Sequence, residues 1–214
     1  MPQSRIDGVR KAAGIVAEVH RELKAMIKPG VTTKELDQRA NEIIVNAGAV
    51  PTFLGYHGFP ATICASVNEV MVHGIPNDTP LQEGDVISVD VGAKIEGYCG
   101  DAAFTMGVGS VSERHELLLK ASKEALEAGI KAAKAGATTG DVGYAVEQVV
   151  KAYGFNVPME YTGHGIGEEM HMEPYVPNYG KPGAGDLLEE GQTICIEPML
   201  IDGADKLFVD PLDN

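Results

Sequence analysis

An α+β fold, with helices packed on one face of an antiparallel sheet, is what this 214-residue sequence predicts, and three observations carry the prediction. Helical patterns come in pairs, each pair is followed by β-type runs, and the arrangement is written twice. Lys28-Pro29-Gly30-Val31-Thr32-Thr33 returns as Lys134-Ala135-Gly136-Ala137-Thr138-Thr139, 106 residues later. Leu81-Gln82-Glu83-Gly84 returns as Leu188-Glu189-Glu190-Gly191, and His57-Gly58-Phe59 as His164-Gly165-Ile166, both 107 residues later. One such match arises by chance, whereas three at a nearly constant offset indicate a duplicated unit. The chain reads as a single domain, 1–214, in halves of about 1–106 and 107–214, the second incomplete.

The elements follow in order. Ile6, Val9, Ala13, Val16 and Leu23 recur at helical spacing until Pro29-Gly30 stops the helix. Thr32 with Glu35 has capping-box spacing and opens a second helix carrying Leu36, Ala40, Ile43 and Ile44 on one face. The second half repeats this with Leu118, Ala121, Ala125, Ala128 and Ala132, a stop at Gly136, Thr138 with Asp141, and then Val142, Ala145, Val146 and Val149. Val86-Ile87-Ser88-Val89-Asp90-Val91 is mostly β-branched and reads as a strand. A turn around Lys94–Gly97 leads into the returning strand Tyr98–Thr105. Thr193-Ile194-Cys195-Ile196-Glu197 is the second-half copy of the first strand.

Composition excludes several classes. A formal charge of -14 argues against nucleic-acid binding, which concentrates Lys and Arg. Three scattered cysteines, Cys64, Cys99 and Cys195, make neither a disulfide framework nor a Cys-based zinc site. No apolar run reaches the roughly 18 residues of a membrane span, and the N-terminus lacks a signal-type apolar stretch. A cytoplasmic protein with no membrane partner is the expectation.

The acids then stand out. The repeat sets Asp90 opposite Glu197, each a carboxylate closing a hydrophobic strand, and Asp101 lies on the returning strand of the first hairpin. A buried ionised carboxylate costs several kcal/mol unless paired or metal-bound. Each acid alone could cap a strand or pair with a surface Lys; as a set they point to convergence on a cation. Four of the six histidines, His57, His73, His164 and His171, sit in expected Gly-flanked loops. In Gly163-His164-Gly165-Ile166-Gly167 the glycines let backbone approach whatever the imidazole binds. Mixed His, Asp and Glu donors suit Mn, Fe, Co or Zn better than Mg or Ca.

Three segments carry a resemblance: Ser66-Val67-Asn68-Glu69-Val70 through His73-Gly74-Ile75-Pro76, Gly163-His164-Gly165-Ile166-Gly167, and Ile196-Glu197-Pro198-Met199. In order and separation they resemble the type I methionine aminopeptidases, over essentially the whole chain. That resemblance implies the pita-bread fold, itself a pseudo-two-fold duplication. It implies up to two divalent metal ions, with Asp90 on one, Asp101 bridging, and His164 and Glu197 on the other. It implies Glu197 as acceptor of the attacking water's proton, His73 and His171 as peptide contacts, and Tyr56, Phe59, Cys64 and Met170 as lining of the methionine pocket. The implied substrates are N-termini of nascent polypeptides, with the ribosome as a candidate partner.

The chain departs from the family pattern at two places. Met172 follows His171 where the family has Glu, and Glu173 comes next. The family's last strand, with a Glu bridging both metals, has no match after Glu197, where the repeat offset falls on Phe208 and only Asp210 and Asp213 lie nearby. The expectation is a shortened form, last strand missing, holding one ion tightly and the other weakly. Two alternatives are an inactive peptide-binding relative and a proline-specific peptidase of the same fold. Intact candidate ligands oppose the first; Asn68-Glu69, His73-Gly74-Ile75-Pro76 and Met199 oppose the second.

Overall fold

The computed structural model describes residues 3–204 and 206–209, so Asp210 and Asp213 lie outside the described residues. The chain divides into two compact units, Ser4–Ser112 with Gly167–Met170, and Glu113–Ile166 with His171–Phe208.

In the first unit, helices α1 (Gln3–Met26) and α2 (Thr33–Asn46) precede strands β1 (Val50–Pro51), β2 (Ile63–Val67), β3 (Val86–Ile95) and β4 (Tyr98–Gly107), with a 3-10 turn at Tyr56–Gly58. Strand β3 is central. It pairs with β4 along one edge, and β1 and β2 share the other, all antiparallel. The predicted hairpin is present, tightened to a two-residue turn. Glu96 (φ 51°) and Gly97 (φ 86°) both take left-handed backbone, the turn whose twist matches the flanking strands.

Alternation along β3 sorts its residues. Ile87, Val89, Val91 and Ala93 are fully buried among Val16, Val19 and Leu23 of α1 and Leu36, Ala40 and Ile44 of α2. Ser88, Asp90 and Gly92 take the opposite face because side chains alternate along a strand. On α1 the buried stripe is Ala12, Val16, Val19 and Leu23, and the expected Ala13 is exposed. Positions four, seven and eleven after Ala12 return to one face, whereas Ala13 sits about 100° round the helix.

The second unit contains α3 (Glu113–Ala132), α4 (Thr139–Ala152), β5 (Thr162–Gly165) and β6 (Met172–Pro177). Ala121 and Ala125 of α3 pack on Val146 and Val150 of α4 and on Phe155. Val142 meets Val176 of β6 and Leu188. Strands β5 and β6 pair antiparallel, with a register shift between Gly163 and Gly165. Both capping boxes form as expected: Thr32 with Glu35 on α2, Thr138 with Asp141 on α4.

Two expectations need correction. Thr193–Glu197 is not a regular strand. Cys195 exchanges backbone hydrogen bonds with His164, and Thr193 accepts one from Ile166, but the pairing is too short for a ladder and registers only as a bridge at Ile194. His164 in turn lies on β5, not in a loop, because that backbone is bonded on both edges. Among the described residues no helix is long and apolar enough to cross a membrane.

Replacing Thr32 or Thr138 with Ala removes the hydroxyl that accepts from the N3 amide and leaves only the bond from the cap's own backbone N–H to the N3 carboxylate. Each change is expected to lower stability by about 1 kcal/mol in denaturant titration. His20 of α1 is largely buried, with Nε2 2.9 Å from the Ala102 carbonyl oxygen and its ring 4.8 Å from that of Phe104. Burial, with a smaller contribution from Lys24, lowers its pKa to about 4. A depressed folded-state value means the unfolded chain takes the proton first, so this contribution is complete above about 6.5 and is lost as pH falls toward 4. His20→Phe should therefore shrink the drop in thermal midpoint between those pH values.

Candidate metal centre

The two aspartates stand together on the sheet. Asp90 pairs with Ala103, and Asp101 pairs with Gly92. Paired residues share a face, so both carboxylates are on the face away from the helices, in diagonal positions roughly 7–8 Å apart. Cys64 of β2 lies directly across from Asp90 on that face. Both aspartates are half-buried and Cys64 is buried. The Cys64 thiol is pushed far up from its ordinary pKa, first by burial and then by the charges of Asp90, Asp101 and Asp37. Asp37 accepts the amide hydrogens of Thr62 and Ile63 at 2.8 and 2.9 Å, yet desolvation still raises its pKa. This face is one of accumulated negative charge. Two like charges so placed repel, and a cation relieves them.

His73 takes left-handed backbone (φ 60°). Its neighbour Gly74 lies so near β2 that a Cβ there would come within 2.5 Å of the Ala65 oxygen. Gly74 also donates to the Ser66 hydroxyl, and Ala65 donates to the Gly74 carbonyl. The strained histidine is thereby tied to the end of β2 that follows Cys64. Of the expected pocket residues, Cys64 and Met170 are buried, Phe59 is half-buried and Tyr56 is exposed on its 3-10 turn, edge-on to His57.

In the second unit His164, His171 and Glu197 come together. The His164 ring is buried and meets that of His171 edge-on at 4.3 Å. Nδ1 of His164 is 2.9 Å from the carbonyl oxygen of Gly165; a carbonyl only accepts, so Nδ1 carries the proton. Nε2, the other ring nitrogen, lies 3.1 Å from Oε1 of Glu197. That approach does not have hydrogen-bond geometry: Oε1 is buried without a hydrogen-bond partner among the described residues. An imidazole protonated on Nδ1 alone turns its Nε2 lone pair toward a carboxylate lone pair, an opposition that a cation between them would relieve. A histidine ligand whose other nitrogen donates to a carbonyl is the usual way such rings are oriented on metals. The donor set therefore fits a divalent ion.

Sequence reasoning passed over Cys195. Its sulfur, a ring nitrogen of His164 and a carboxylate oxygen of Glu197 all lie within 4.8 Å of one another. The signal was there: Cys195 and Glu197 are two apart on extended chain and so share a side.

The model of metallopeptidase family M24 matches residues 7–209. A methionine aminopeptidase 1 of Bacillus subtilis is 46% identical over 196 residues, which are 92% of this chain and 79% of the relative. Among solved structures, methionine aminopeptidase from Thermotoga maritima is 41% identical with a TM-score of 0.97, over 100% of this chain and 86% of that one. The Rickettsia prowazekii enzyme gives 36%, 0.97, 100% and 86%. These structures carry the pita-bread fold that the family resemblance implied.

Burial also raises the pKa of Cys99, with a smaller opposing effect from Lys94. Iodoacetamide at pH 8 should accordingly label Cys64 and Cys99 much more slowly in the folded chain than in urea, as read by peptide mass mapping.

Proposed function

The chain belongs to metallopeptidase family M24, and on that premise we propose that it is a metal-dependent methionine aminopeptidase, hydrolysing the first peptide bond of chains that begin with methionine. The observation that carries the reading is the buried Glu197 Oε1, lacking a hydrogen bond and facing Nε2 of His164. We assign Asp90, Asp101, His164 and Glu197 as ligands of up to two divalent ions. Imidazole and carboxylate donors favour Mn, Fe, Co or Zn among the candidates. A bound ion supplies Lewis-acid polarisation of the scissile carbonyl and activation of water.

The remaining work falls to side chains. Glu197, whose second oxygen is available to a proton when Oε1 faces the ion, accepts the proton of the attacking water and returns it to the leaving amine. His73 and His171 touch the peptide, one assisting the scissile amide and one stabilising charge on the tetrahedral carbon's oxygen. Tyr56, Phe59, Cys64 and Met170 receive the methionine side chain. Cys64 suits this role because its thiol stays neutral beside the aspartates, so the pocket next to the carboxylates remains apolar. The substrates are N-termini of new polypeptides in the cytoplasm, where chains emerging from the ribosome present them.

Chelation, or Asp101→Ala, should abolish hydrolysis of a Met-Ala peptide, with a loss beyond the roughly 10²–10⁴-fold expected for one acid-base group. Unchanged hydrolysis in either case overturns the metallopeptidase reading. His73→Ala and His171→Ala should reduce turnover and leave metal content, read by atomic absorption, unchanged. A fall in content for either variant would make that histidine a ligand.

A further inference from the structure

The segment that carries Glu197 is held by β5 only part of the way. Thr193 and Cys195 are bonded to Ile166 and His164. An antiparallel ladder would next join Glu197 to Thr162, but among the described residues that bond is not formed. The Glu197 carbonyl accepts instead from Nδ2 of Asn178, at 2.7 Å. Asn178 is only 1% exposed, and its Oδ1 has no hydrogen-bond partner among the described residues. A half-satisfied buried amide is a costly way to fill space, and an apolar side chain of the same shape would avoid the penalty. The one bond it makes is to the residue whose carboxylate faces His164.

The position of Asn178 is itself determined from behind. A Cβ at Gly143 of α4 would lie 2.2 Å from the Tyr179 oxygen and 2.6 Å from the Pro177 oxygen. A Cβ at Gly180 would lie 2.6 Å from the Gly140 oxygen. Helix α4 thus lies in backbone contact with residues 177–180 through glycines. We infer that Asn178 is the positioning residue for Glu197, a side-chain clamp that replaces the missing rung of the β5 pairing and aims the carboxylate. This rests on the assignment of Glu197 as a metal ligand.

Asn178→Leu keeps the shape and removes the donor; Asn178→Ala removes both and is the second variant should the first misfold. Cobalt titration calorimetry, Met-Ala-Ser hydrolysis and thermal unfolding in chelator are read together on the full chain. The expected result is a cobalt Kd weakened about tenfold or more and a kcat lowered by a similar factor. KM should stay within about threefold of the parent, and the metal-free protein should still unfold cooperatively. A merely structural role would lower the metal-free unfolding midpoint while cobalt Kd and kcat, measured well below it, stayed at parental values; that outcome overturns the inference. If neither variant folds, hydrogen exchange on the parent chain decides. The Asn178 side-chain amide should exchange more slowly with zinc bound than in chelator, and equal rates overturn the inference. Glu197→Ala serves as the control for the underlying assignment. Parental cobalt affinity in that variant would refute Glu197 as ligand, a failure distinct from that of the clamp.

Discussion

Close backbone packing around His164 is the constraint on which the placement of His164 against Glu197 depends. A Cβ at Gly163 would lie 2.2 Å from the Cys195 oxygen, and one at Gly165 would lie 2.3 Å from the Glu173 oxygen. No side chain fits at either place, so β6 and the 193–195 segment can both approach β5 and bond to it. His164 is the one residue between those glycines with a functional side chain. Its Nδ1 is committed to the Gly165 carbonyl, which turns Nε2 toward Glu197. The histidine's orientation follows from backbone geometry set by its glycine neighbours.

The two aspartates of the first unit are placed by a different device, strand alternation. Every odd position of β3 from 87 to 93 is buried against the helices, so an acid at position 90 must take the other face. The hairpin turn at Glu96-Gly97 then sets the register that puts Asp101 on that same face. Moving the turn by one residue would flip Asp101 to the apolar side. Part of the chain's acidity, -14 overall, is concentrated where Asp90, Asp101 and Asp37 add to burial in raising the Cys64 thiol pKa.

Local chemistry explains what could be read in advance. The capping boxes, the β3–β4 hairpin and the helix pairs are specified by residues within a few positions of each other, and Thr32 with Glu35 or Glu96 with Gly97 declare themselves. Asp90, Asp101, His164 and Glu197 were conspicuous as charged or titratable groups in apolar or glycine-rich runs. What could not be read depends on distant partners. Strand β5 is Thr162-Gly163-His164-Gly165, with none of the β-branched patterning that marks a strand, and it exists through pairing on both edges. Thr193–Glu197 has the composition of a strand but pairs with β5 only through the few backbone bonds at Thr193 and Cys195. Asn178 has no local signature, since its relation to Glu197 appears only once those backbones are brought side by side.

The central claim is that His164 and Glu197 hold a divalent ion on which peptide hydrolysis depends. Anomalous diffraction from crystals of this chain grown with manganese or cobalt tests it most directly. The account predicts an anomalous peak about 2.0–2.2 Å from Nε2 of His164 and from a carboxylate oxygen of Glu197. A strong peak elsewhere with none between these two groups, in protein that hydrolyses Met-Ala-Ser, would contradict it.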